Sequence, residues 1–213
     1  MPWSINNIWS YTASCIWMLY ITYCGLIIHL GFCSLHFTVS FQISAYSKIF
    51  QHHLENSGPQ DKSIYLHHQT IIKLVSDYNE ISSFIIYVEV LVVSLEACGF
   101  GYAMIKGLKR YDPQAIESFY AIMMVLSAIF VTCLCGQEIS TQTEKFHESS
   151  YMTNWYEEKP KIRKDLLTMM MVTMKPKTLN YRMLAMWNME CFAAIIQGLY
   201  SYLTMISSFE SED

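Results

Sequence analysis

From Met1 to Ser47 the chain contains no Asp, Glu, Lys or Arg. About twenty apolar residues are enough to cross a bilayer as a helix, and hydrocarbon obliges the backbone to satisfy its own hydrogen bonds, which a helix does. The shortage of charge extends beyond this stretch. Only 15% of the 213 residues are charged and 53% are hydrophobic, where a soluble domain carries about 25% charged residues. The chain therefore reads as an all-α integral membrane protein. A net charge of −4 and the lack of a long basic run exclude a phosphate-binding stripe, so no nucleic-acid partner is expected.

Four spans follow from the pattern. The first covers about 9–41. Trp3 and Trp9 at its start suit a membrane interface; Trp17, Tyr20 and Tyr23 lie deeper, either as packing residues or as the wall of a cage for a small apolar ligand. His29 and His36, seven apart, read as packing residues. The helix continues past the membrane to Glu55, where Asn56-Ser57-Gly58-Pro59 stops it. A second helix begins at Asp61 or Ser63. Ile64, Ile71, Leu74, Val75, Tyr78, Ile81 and Ile85 recur at steps of three and four, an amphipathic stripe that turns wholly apolar after Ile81 and forms a span over about 81–105. Some forty-five residues of helix measure roughly 68 Å, so much of it stands outside the membrane. Glu89 and Glu96 share one face of the span, either as functional carboxylates or as a hydrogen-bonded structural pair. A loop over Lys106–Pro113 leads to the third span, about 115–137, which opens with Phe119, Tyr120, Met123 and Met124 and continues as a polar helix. After the turn N-W-Y-E-E-K-P comes a short amphipathic helix, Ile162 to Met174, which Lys175-Pro176-Lys177 breaks.

The fourth span, about 183–208, rises from about Tyr181. After Glu190 it runs nineteen residues without a charge, then meets Glu210, Glu212 and Asp213. It nevertheless holds Gln197, Tyr200, Ser201, Tyr202 and Thr204. Polar groups at such depth face protein or water, so this span either packs against other helices or lines a conduction path.

Eleven of the fourteen basic residues lie in segments 48–80 and 138–182, and three lie in Lys106–Arg110. The positive-inside rule puts the two long segments in the cytoplasm and both termini outside. The N-terminus lacks the basic region and cleavage site of a signal peptide; a chain that starts beside a membrane helix is what a fragment of a longer protein would look like. The seven cysteines (Cys15, Cys24, Cys33, Cys98, Cys133, Cys135 and Cys191) all fall in apolar spans and read as small fillers. Cys133 and Cys135 lack zinc spacing. His52-His53 and His67-His68 are too few for the histidine boxes of a di-iron membrane enzyme. No cofactor, metal or enzymatic activity is expected. The Asn-Pro-x-x-Tyr of G-protein-coupled receptors and the Cys-Cys-Gly of tetraspanins are also missing.

The C-terminal half resembles the insect odorant receptors. The ordered set comprises C-x-C-G-Q-E at Cys133–Glu138, Glu144-Lys145, Tyr151 with Trp155-Tyr156, the basic helix K-I-R-K-D-L-L-T-M-M-M, Lys175-Pro176 with Thr178-Leu179, Glu190, and Tyr200-Ser201-Tyr202. The resemblance covers roughly 115–208, and the first two spans fit by position. It implies the fourth to seventh spans of a seven-span receptor of inverted topology, in the plasma membrane with the C-terminus extracellular, its segments 48–80 and 138–182 forming a cytoplasmic helical anchor. It also implies an odorant-gated, non-selective cation channel that assembles with a co-receptor into a tetramer. Tyr200, Ser201, Tyr202, Thr204 and Ile206 are then the expected pore-lining residues. Trp17, Tyr20, Tyr120 and Met123 are expected at a site for a small, volatile, apolar ligand. A gustatory receptor subunit and a truncated, non-conducting partner-binding product are the alternatives.

Overall fold

The computed structural model describes residues 8–182 and 185–209; Trp3 and the acidic residues Glu210, Glu212 and Asp213 lie outside them. Helix α1 spans Ile8–Ser57, α2 Lys62–Arg110, α3 Gln114–Tyr151, α4 Pro160–Thr173 and α5 Met189–Phe209, with strands β1 (Asn180–Tyr181) and β2 (Ala185–Met186) between the last two helices. Of these, α1, α2, α3 and α5 are long and apolar enough to cross a membrane. At 1.5 Å per residue α1 and α2 are each about 75 Å long, more than twice a hydrocarbon core of about 30 Å.

The turn between α1 and α2 follows its residues. Gly58 takes φ +67°, which glycine adopts without strain, and its N–H donates to the Leu54 carbonyl at 3.2 Å. Asp61 caps α2 by accepting the Ser63 N–H at 2.9 Å and pairs with His53 at 3.3 Å, closing the hairpin.

Two boundaries differ from the sequence expectation. The loop expected over Lys106–Pro113 shrinks to Tyr111–Pro113, because α2 continues to Arg110. Gly107 permits close packing here instead of ending the helix: a Cβ at that position would stand 2.9 Å from the Ala115 nitrogen. Lys109 and Arg110 occupy the last turn, where a cation is favourable, and Tyr111 ends the helix in the left-handed region at φ 55°. The last helix starts at Met189 rather than rising from Tyr181. The residues between form an antiparallel pair, Asn180 opposite Met186 and Tyr181 opposite Ala185. This reversal buries both Leu179 and Trp187, and the Asn188 side chain then caps α5 by accepting the Cys191 N–H at 2.9 Å.

Among the described residues three clusters form the core. At the polar end, Phe50 and Leu54 of α1 meet Ile64 and Ile71 of α2, Phe146 of α3, and Leu166, Met169 and Met170 of α4. Next come Ile43, Val75, Ile86, Ile139, Leu179 and Trp187. Val93, Ile129 and Cys133 form the third, against Cys191, Phe192 and Ile195 of α5. Polar ties accompany them. Glu138 accepts from the Ser44 hydroxyl and the Gln142 amide, both at 2.9 Å. The Gln142 bond, followed by Ser44 and the nearby Lys48 and Lys145, holds the Glu138 carboxyl below the usual carboxylate range despite partial burial. Asn79 accepts the Asn180 N–H at 2.8 Å, fastening the hairpin to α2.

Candidate functional site

Helix α5 has two unlike faces. Cys191, Phe192, Ile195, Ile196, Leu199, Tyr202, Leu203 and Ile206 are buried or half-buried, at the three- and four-residue steps of one helix face. Phe192 packs on Phe130 with ring centroids 5.4 Å apart. Leu203 fits over Gly101, where an added Cβ would stand 2.4 Å from its Cδ2. The other face is exposed. It carries Glu190, Ala194, Gln197, Ser201, Thr204 and Ser208 in one line, spaced four, three, four, three and four. Four of these six are uncharged polar residues, on a helix apolar enough to enter a membrane. The five residues expected at a conduction path therefore divide. Tyr200, Ser201 and Thr204 are on the exposed face, whereas Tyr202 and Ile206 are half-buried on the packed one.

The base of α5 is fixed by a contact that sequence reading missed. A Cβ on Gly136 would stand 2.0 Å from the Trp187 carbonyl oxygen, so only glycine lets the segment before α5 pass this close to α3. The available signal was the glycine of C-x-C-G-Q-E, whose partner is 51 positions away. Asn79, whose amide oxygen holds the hairpin, was not singled out either.

The four expected ligand residues form two separate surfaces. Trp17 and Tyr20, ring centroids 6.2 Å apart, border an open apolar hollow of about 480 Å³ with Ala13 and Ile16. Tyr120 borders another, about 290 Å³, with Met104, Leu108, Ala115, Ile116 and Phe119, where α2 turns into α3. Met123 is exposed one turn further along α3 and lines neither hollow.

The two intramembrane carboxylates also part. Glu96 is exposed; Glu89 is half-buried, with one carboxylate oxygen shut from solvent and lacking a hydrogen-bond partner. His36 is buried and pairs through Nδ1 with the Tyr78 hydroxyl. Of the paired histidines, His53 bonds Asp61 and His68 is buried between Phe50 and Phe146, each ring 5.7 Å away. Among the described residues no three His, Cys, Asp or Glu side chains converge as metal ligands would.

A family model described as 7tm Odorant receptor matches residues 1–200. The chain belongs to that family. Odorant receptor 47a of Drosophila melanogaster is 24% identical over 225 residues, covering 98% of this chain and 57% of its own length. Odorant receptor 9a of the same fly is 22% identical, covering 99% and 55%. The chain thus spans just over half the length of these odorant receptors. The structure of the insect olfactory receptor OR5 from Machilis hrabei superposes with a TM-score of 0.75 at 13% identity, over 97% of this chain and 55% of that one. The same receptor in complex with eugenol gives 0.74 at 12% identity. At such identity the likeness shows a shared fold. Membership makes the chain a multi-pass membrane protein of a receptor family, not of an enzyme family.

Proposed function

We propose that the chain serves as an odorant receptor subunit, an odorant-gated, non-selective cation channel that works with a co-receptor in a tetramer at the plasma membrane. The observation that carries this reading is the line Gln197, Ser201, Thr204 and Ser208 along the exposed face of α5. Thr204 and Ser208 bond carbonyls of their own helix, at 2.9 and 2.7 Å, but the line as a whole, with the Gln197 amide, is better matched by water or protein than by lipid. Four such lines around a shared axis make a wettable conduit, with Tyr200, Ser201 and Thr204 nearest the path. Tyr202 and Ile206 hold the helix to its own bundle. By the distribution of basic residues, 48–80 and 138–182 face the cytoplasm and the C-terminus faces outward.

The ligand is a small, volatile, apolar molecule. The apolar hollows beside Trp17 and Tyr20 and beside Tyr120 suit such a ligand once neighbouring helices or lipid cover them, with Met123 along the same side of α3. The eugenol complex of the related fold is consistent with a ligand of this kind. Binding opens the channel insofar as the open state fits the ligand better, and the last helices gate by widening a constriction that otherwise dewets.

Cysteine substitution tests this. With a co-receptor present, Ser201→Cys and Thr204→Cys should make odorant-evoked current sensitive to a charged methanethiosulfonate, and Leu199→Cys, buried on the packed face, should not. Block at position 199 with silence at 201 and 204 would overturn the pore assignment. Surface expression with no change in odorant response would make the chain a non-conducting partner-binding subunit.

A further inference from the structure

Helices α3 and α5 run antiparallel in a register set by their contacts. Gly136 lies against Trp187, Phe130 against Phe192, and Ile129 in the cluster that receives Ile195. One turn from the Gly136–Trp187 contact the same register brings Cys133 and Cys191 into one packed cluster. Cys133 is buried, Cys191 is half-buried, and both are free thiols. The tight crossing at Gly136 keeps the two backbones close, as small residues do between membrane helices, and closeness is what a disulfide requires.

We propose that Cys133 and Cys191 form an oxidation site, which a peroxide converts to a disulfide joining α3 to the base of α5. Cys191, the more accessible thiol, reacts first. Its sulfur attacks one peroxide oxygen, the O–O bond breaks, and a sulfenic acid and one water result. The Cys133 sulfur then attacks the sulfenyl sulfur; the S–S bond forms, the S–O bond breaks, and the hydroxide leaves as water with the Cys133 proton. Two thiols and one hydrogen peroxide become one disulfide and two waters, the two electrons passing from sulfur to oxygen. A thiol reductant reverses the link by exchange. The consequence for conduction rests on the channel reading: a bridge here ties the start of the polar-lined helix to α3 and opposes any movement that gating requires of it.

The test maps the bond itself and needs no current. Membranes containing the chain and its co-receptor are treated with hydrogen peroxide, free thiols are capped with N-ethylmaleimide, and peptides are analysed by mass spectrometry. The expected product is one linked peptide pair containing Cys133 and Cys191. Capping at both sites should fall together by about fivefold or more and recover with dithiothreitol. Cys191→Ser should keep Cys133 capped, and Cys133→Ala should stop Cys191 at the sulfenic acid. A linkage of Cys33 to Cys135 instead, a sulfenic acid on Cys191 with no bridge in the unsubstituted chain, or undiminished capping would each overturn the site. Odorant current is recorded in parallel. A mapped bridge with undiminished current would leave the site standing and count against the channel role of α5.

Discussion

The polar end of the bundle and its membrane half both carry large apolar side chains but pack them to different degrees. At the polar end Phe50, Leu54, Ile64, Ile71, Phe146 and Leu166 are at most 1% exposed. In the membrane half of α1, Trp9 is 83% exposed and Leu19 and Ile28 are above 70%. Where water is the alternative, apolar side chains are driven together. Where lipid is the alternative that drive vanishes, and helices associate through shape and polar contacts. The polar end therefore holds the helices in register. The membrane half leaves apolar faces uncovered.

The sharpest way to break this contrast is to truncate the same side chain in each region. Phe146→Ala should cost about 3–5 kcal/mol, read as lost thermal stability in detergent or lipid. Phe41→Ala, at a position 67% exposed, should change stability by less than about 0.5 kcal/mol. Equal losses would mean that α1 is held by its membrane half after all.

Acid should attack the polar end next. Burial pushes the His68 imidazole down to about 4 from its ordinary 6.5. Between those values the unfolded chain binds a proton that the folded chain refuses. Stability is thus whole above pH 6.5 and falls as pH drops toward 4, by about 2–3 kcal/mol for one such group. His68→Leu should flatten the decline in melting temperature across that window, and an unchanged slope would remove His68 as its source.

A smaller effect is expected at the joint between the regions. Gly136→Ala drives a Cβ into the Trp187 carbonyl and should cost about 1–3 kcal/mol as an overpacked site, with odorant response more affected than assembly. If response and assembly fall in parallel, the contact is merely structural. Smaller still, Asn79→Ala frees the Asn180 N–H and should cost about 1 kcal/mol, visible as faster amide exchange confined to the hairpin. Exchange rising throughout α2 instead would show that Asn79 supports the helix.

Much of the architecture was legible because it is written in local signals. Gly58-Pro59 ended α1, the three- and four-residue steps from Ile64 onward marked α2, and long charge-free runs marked the spans. What escaped was long-range. The loop expected from Lys106 begins only at Tyr111 because Gly107 packs on Ala115, a contact that no local pattern shows. The start of α5 was misplaced because Leu179 and Trp187 reach their burial by a hairpin whose strands are two residues each, too short to leave a strand signal. The residues expected at a conduction path were visible as a set; their division into Tyr200, Ser201 and Thr204 on one face and Tyr202 and Ile206 on the other depends on which side meets α2 and α3. The hollow at Tyr120 depends in the same way on how α2 meets α3.

The unbroken length of α1 has a mechanical implication. It is one rod about 75 Å long, packed at its polar end and largely exposed before His36, so a tilt of about 3° at the polar end displaces the far tip by about 4 Å. Shifts too small to disturb the packing of Phe50 against Phe146 are thus multiplied to the width of a methylene chain at the opposite tip, and a displacement at that tip returns to the grip as leverage.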